Sequence, residues 1–137
     1  MILIDSSVWI DFFAARVTLQ TLAVRACVRS ERAIAIGDLV LTEVLQGARD
    51  EGAAAEIGVR LSEFRPVRIV DHRIAVQAAR NYRLLRGKGI TIRKTIDTLI
   101  ATRCIVDDIP LLYSDRDFDP FVQHLGLRSA LDDIGVN

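Results

Sequence analysis

No apolar run in the 137-residue chain approaches the roughly 18 residues that a membrane-spanning helix needs, which excludes a helical membrane protein. The opening Met1-Ile2-Leu3-Ile4-Asp5 lacks a basic stretch and meets an acid at once. It is therefore not a secretory signal, and a cytoplasmic location is expected. Cysteine is scarce. Cys27 and Cys104 stand alone, without metal-type spacing, and read as two reduced, buried thiols. The two histidines, His72 and His124, are far apart and offer no zinc pattern. A Gly-rich phosphate loop of either common kind is missing, as are repeats, linkers and low-complexity tracts. Net charge is zero, which argues against a generic nucleic-acid binder.

What is present has the balance of one globular domain over 1–137, with 50% hydrophobic and 26% charged residues. The charge is unevenly spread. Residues 1–59 hold 5 basic and 8 acidic side chains, 60–94 hold 10 and 2, and 95–137 hold 3 and 8. A basic middle segment between acidic ends fits a polyanion-facing surface beside an acid-rich pocket, or else two solvated helix faces.

Short apolar runs alternate with amphipathic stretches, which predicts an α/β domain with a mostly parallel central sheet flanked by helices. Strands are expected at Met1–Asp5, Ala33–Ile36, Pro66–Val70 and Pro110–Ser114, with an edge strand at Leu127–Ala130. Helices are expected over Val8–Ala14, Val17–Arg32, Leu39–Arg49, Asp50–Phe64, His72–Arg86, Ile96–Val106 and Pro120–Leu125. Ser6-Ser7, Asp38, Asp71 and Thr95 supply the capping residues, and Gly87-Lys88-Gly89 breaks the chain. The last five or so residues are expected to be loose. Apolar positions beyond one core face on the Leu39–Ala48 and Val17–Val28 helices predict a homodimer.

Two strands run directly into acids, Asp5 and Asp115, and Asp117 and Asp119 follow closely. The carboxyl edge of a parallel sheet is where its ligands bind, and buried carboxylates are costly without a cation or donor. Asp97 lies in the first turn of its helix at the border of the face formed by Ile96, Leu99, Ile100 and Cys104. Glu43 borders the face of Leu41, Val44, Leu45 and Ala48. Taken singly, each has an ordinary reading: Asp5 as a cap, Asp97 as a first-turn stabiliser, Glu43 as a solvated side chain. Together they form an all-oxygen set suited to Mg2+ or Mn2+ and to phosphodiester hydrolysis. The run Asp115–Asp119 imitates the start of an EF-hand loop, but Pro120 holds the turn-glycine position and Gly126 the terminal-glutamate position.

Four blocks in order resemble a PIN domain: Ile4-Asp5-Ser6-Ser7-Val8-Trp9-Ile10, Leu41-Thr42-Glu43-Val44, Ile96-Asp97-Thr98-Leu99-Ile100-Ala101 and Leu112-Tyr113-Ser114-Asp115-Arg116-Asp117-Phe118. More closely, the chain is similar to the VapC toxins of bacterial VapBC toxin–antitoxin modules, over nearly its whole length. The resemblance implies a three-layer PIN-like fold and a dimeric, Mg2+- or Mn2+-dependent endoribonuclease of the bacterial cytoplasm. Its implied partner is a cognate VapB-type antitoxin whose C-terminal segment enters the active-site groove. It also implies Asp5, Glu43, Asp97 and Asp115 as catalytic metal-binding acids, Asp117 as an auxiliary acid, and Ser7 and Ser114 as supporting hydroxyls. Ile96 stands where most members carry a small or polar residue, and Tyr113-Ser114 replaces a commoner Leu/Val-Thr pair; neither removes a carboxylate. Arg86, Lys88, Arg93 and Lys94 are the candidate contacts for RNA phosphates.

Two rivals are weaker. A haloacid-dehalogenase-type phosphatase wants an acid at the position of Ser7, and a receiver domain wants paired acids in its first loop. A catalytically inactive PIN-like RNA- or protein-binding module would be expected to lack one of the acids, and none is missing.

Overall fold

The computed structural model describes residues 1–134, in which four parallel strands form one sheet. Strands β1 (Ile2–Ile4), β2 (Ile34–Gly37), β3 (Arg65–Val67) and β4 (Leu111–Leu112) lie in the order β3-β2-β1-β4. Leu3 faces Ala35 on one side and Leu111 on the other. Helices α1 (Ser6–Phe13) and α2 (Leu19–Arg29) join β1 to β2, and α3 (Asp38–Gln46) and α4 (Glu51–Leu61) join β2 to β3. Helices α5 (His72–Gly87) and α6 (Thr95–Val106) lead to β4. A 3-10 turn (Arg116–Phe118), α7 (Asp119–Leu125) and α8 (Ala130–Ile134) complete the described residues.

This order explains where the acids meet. From β1 the chain steps outward to β2 and β3, then returns across the sheet to β4. Right-handed crossovers therefore place α1–α4 on one face and α5–α6 on the other. The packing agrees: α1 lies on α3, α3 on α4, and α5 on α6. With both faces covered, β1 is apolar throughout, and Ile2, Leu3 and Ile4 are fully buried. The chain changes direction beside β1, and at such a switch point the strand ends open a crevice. Asp5 follows β1 and Asp115 follows β4 by three residues, so both lie at that opening.

Local chemistry sets the element ends, and several differ from expectation. Asp5, rather than Ser6-Ser7, caps α1, its carboxylate accepting from the Ser7 N–H at 3.1 Å. Gly37 takes the cap position of α3, and Asp38 becomes its first residue. The Asp38 carboxylate accepts from the Leu39 and Ile69 N–H groups at 2.8 and 3.0 Å. Ile69 thus bonds to Asp38 instead of to β2, and β3 ends at Val67 rather than Val70. Lys94, not Thr95, occupies the cap position of α6 and makes no side-chain cap bond. The expected edge strand at Leu127–Ala130 is only a single bridge between Leu111 and Ser129, because Ala130 already begins α8. Of the tail expected to be loose, Asp133 and Ile134 lie in α8, and residues 135–137 lie outside the described residues.

Gly37 is where β2 enters the helix that carries Glu43. A Cβ there would come within 2.8 Å of Ile69 Cδ1 and 2.9 Å of Cγ1. Ile69 is fully buried and has little room to yield. Gly37→Ala is expected to destabilise the fold by about 1–2 kcal/mol. The check is a lower urea midpoint with an unchanged slope.

Candidate metal centre

Asp5 is held from two sides. Its Oδ2 accepts from both the Ser7 N–H and the Ser7 hydroxyl, while Oδ1 is buried with no hydrogen-bond partner. The Asp5 N–H donates to Leu112 O at 2.9 Å, tying the end of β1 to β4. Burial raises the Asp5 pKa, with a smaller push from the Asp115 charge, and the Ser7 bonds oppose both. Ser7 also receives a long bond, 3.4 Å, from the Ser114 N–H. The Ser114 hydroxyl itself is not bonded to any acid among the described residues, so its contribution comes through the backbone.

Asp97 faces the same place from α6. It is 4% exposed, and its Oδ2 is buried without a partner. Burial, then the charge of Asp5, pushes its pKa up to about 7, with Lys94 pulling the other way. Glu43, half-buried on α3, accepts from the Ser6 hydroxyl at 3.1 Å. Burial and then the Asp5 charge raise its pKa too. The Asp115 charge contributes to the upward shifts of Asp5, Glu43 and Asp97, so these carboxylates lie close to it.

The tightest group is Asp97, Asp115 and Asp117, whose carboxylates each offer an oxygen within 4.8 Å of the others. Asp117, expected only as an auxiliary acid, therefore stands nearer the centre of the cluster than the sequence implies, while Asp5 and Glu43 lie outside this tightest group. The Asp115 Oδ1 accepts from the Asp117 N–H at 2.9 Å, so one acid orients the backbone of the other. Crowded acids alone are common on surfaces. Here two of them carry a buried, unpartnered oxygen, which a hard cation would satisfy.

The four basic candidates divide. Arg93 pairs with Asp117 at 3.3 Å and Lys94 with Asp115 at 3.6 Å. Arg86 lies 5.8 Å from the Tyr82 ring centre, and Lys88 takes the cap position at the end of α5. Neither forms an ion pair with the acids among the described residues. Sequence reasoning missed Ser6 as the partner of Glu43. The two are 37 residues apart, and no spacing rule links them.

A family model described as PIN domain matches residues 2–121. Ribonuclease VapC11 of Mycobacterium tuberculosis and VapC ribonuclease Mb1587 of Mycobacterium bovis are each 34% identical over 132 residues, covering 95% of this chain and 98% of theirs. Among solved structures, VapBC2 from Rickettsia felis bound to a promoter DNA fragment gives a TM-score of 0.73 at 18% identity, covering 94% of this chain and 97% of that one. A toxin–antitoxin complex from Klebsiella pneumoniae gives 0.68 at 19%, with the same coverage. Those two likenesses concern the fold. The family match and the relatives together place the chain in the PIN-domain family, among the VapC ribonucleases.

Proposed function

We propose that this chain is the ribonuclease toxin of a type II toxin–antitoxin pair, cutting RNA phosphodiester bonds at the Asp5–Glu43–Asp97–Asp115 cluster. One observation carries the reading: buried carboxylate oxygens without partners, in Asp5 and Asp97, beside a group of acids within 4.8 Å. Asp5, Asp97 and Asp115 would hold Mg2+ or Mn2+, with Asp117 as auxiliary and Glu43 behind them. Such an ion, when bound, lowers the pKa of water and offsets phosphate charge. Ser7 keeps the Asp5 carboxylate turned into the crevice by its two bonds. Ser6 holds Glu43, whose raised pKa suits it to accept a proton from attacking water. Arg93 and Lys94 form the rim where RNA phosphates would arrive, and Arg86 and Lys88 extend the basic surface along the end of α5.

The proposed partners are RNA, a cognate VapB-type antitoxin and a second copy of the chain, in the cytoplasm of a bacterium. Leu19, Leu22 and Val28 on α2, with Val17 just before it, are 43–78% exposed and give an apolar partner somewhere to bind. The Leu39 and Leu41 side chains are partly buried against the core, so α3 contributes less to such a surface. No described helix is long and apolar enough to cross a membrane.

The direct test is cleavage of total RNA by the purified chain with Mn2+, with EDTA, and with EDTA followed by excess Mn2+. Cleavage, loss and recovery are expected in that order. Cleavage unaffected by EDTA would sink the metal reading. Ser6→Ala should lower the rate by about tenfold, as loss of a residue that orients a metal-site acid commonly does, without shifting the melting temperature much. An unchanged rate would show that Glu43 needs no anchor.

A further inference from the structure

The segment between α5 and α6 ends in two cations that turn toward the acids. Arg93 Nη2 lies 3.4 and 3.3 Å from the two oxygens of Asp117, and Lys94 Nζ lies 3.6 Å from Asp115 Oδ2. Single exposed ion pairs contribute little, and the Lys94 side chain is 59% exposed. Its surroundings are not those of a single pair. Its partner Asp115 offers an oxygen within 4.8 Å of oxygens of both Asp97 and Asp117. Lys94 therefore stands against the charge of a cluster, with Arg93 on the same cluster at Asp117. It also occupies the cap position of α6, three residues before Asp97, so the backbone keeps it beside that acid's turn.

We propose that Lys94 is an exchangeable counter-cation of the carboxylate cluster, occupying in the metal-free protein the charge position that a divalent ion must take over. The inference rests on reading the acids as a metal centre. A divalent ion and the ammonium draw on the same carboxylate charge, so each weakens the hold on the other. Arg93 does the same at Asp117, more weakly, because its own side chain is 78% exposed. From the sequence both residues are candidate contacts for RNA phosphates; their ion pairs with Asp117 and Asp115 add a link to the acids.

The test is a calorimetric titration of Mn2+ into the metal-free full chain. Lys94→Gln should bind Mn2+ about tenfold more tightly than the parent, an effect of the size expected for one nearby, partly screened charge. Lys94→Arg keeps the charge and should stay within about twofold of the parent. Arg80→Gln removes an equal charge from an exposed position on α5, one that pairs with no acid among the described residues, and should leave affinity unchanged. Melting of each metal-free variant shows that the folds are comparable; Lys94 makes no side-chain cap bond, so Gln at this position costs α6 no cap. Equal affinity of Lys94→Gln and parent would overturn the inference and leave the metal centre standing. Equal tightening in Lys94→Arg would also overturn it, since charge would not be the cause. Absence of Mn2+ binding in every variant would overturn the metal centre and the inference with it.

Discussion

Asp97→Asn is expected to cleave RNA at least about a thousandfold more slowly, on the order of 4 kcal/mol of transition-state stabilisation. The same variant is expected to melt higher than the parent at pH 8 without metal. The reason is the sign of its pKa shift. Asp97 titrates near 7 in the fold, against an ordinary value of 3.8. Between those values the native chain binds a proton that the unfolded chain has released. Stability from this group is thus full below about pH 4 and is lost as pH rises through about 7. At pH 8 the penalty is complete, on the order of a few kcal/mol for so buried a carboxylate. Asparagine keeps the shape and carries no charge, so it removes the penalty at pH 8 and changes little at pH 4. Equal melting of variant and parent at pH 8 would show that Asp97 is relieved by protein groups and does not wait for a cation.

The positions of the candidate acids in the fold were largely legible in the sequence because strand ends and helix starts are visible there. Ile2-Leu3-Ile4 before Asp5 and Leu111-Leu112 before Asp115 mark buried strands that run into acids. Parallel order and right-handed crossovers then bring those ends together. The apolar border of α6 placed Asp97 near the core, where it is 4% exposed. What stayed hidden depends on side-chain reach. Ser6 meeting Glu43, and Arg93 and Lys94 meeting Asp117 and Asp115, join residues 20 or more positions apart. Element ends were hidden for a related reason. Asp38 takes the Ile69 N–H away from the sheet, a tertiary bond that no local propensity foretells.

Metal binding should reverse the penalty that crowding imposes. At pH 8, Mn2+ at about a hundred times its dissociation constant should stabilise the chain by about 2.7 kcal/mol, which raises the melting temperature by several degrees. At pH 5 the gain should be much smaller. Asp97 then holds its proton, Asp5 and Glu43 are shifted in the same direction, and protons compete with the ion. Thermal melts at both pH values, with and without Mn2+, give the comparison. A larger gain at pH 5 than at pH 8 would contradict carboxylate ligation. Lys94→Gln should enlarge the pH 8 gain, which links this prediction to the counter-cation proposal without depending on it.

The central claim is that Asp5, Asp97 and Asp115 share one ion. The measurement that tests it most directly is anomalous diffraction from crystals grown with Mn2+. The account predicts an anomalous peak about 2.0–2.3 Å from carboxylate oxygens of these three residues, the range for oxygen-bound divalent ions of this size. Peaks only elsewhere, or none at saturating Mn2+, would contradict it.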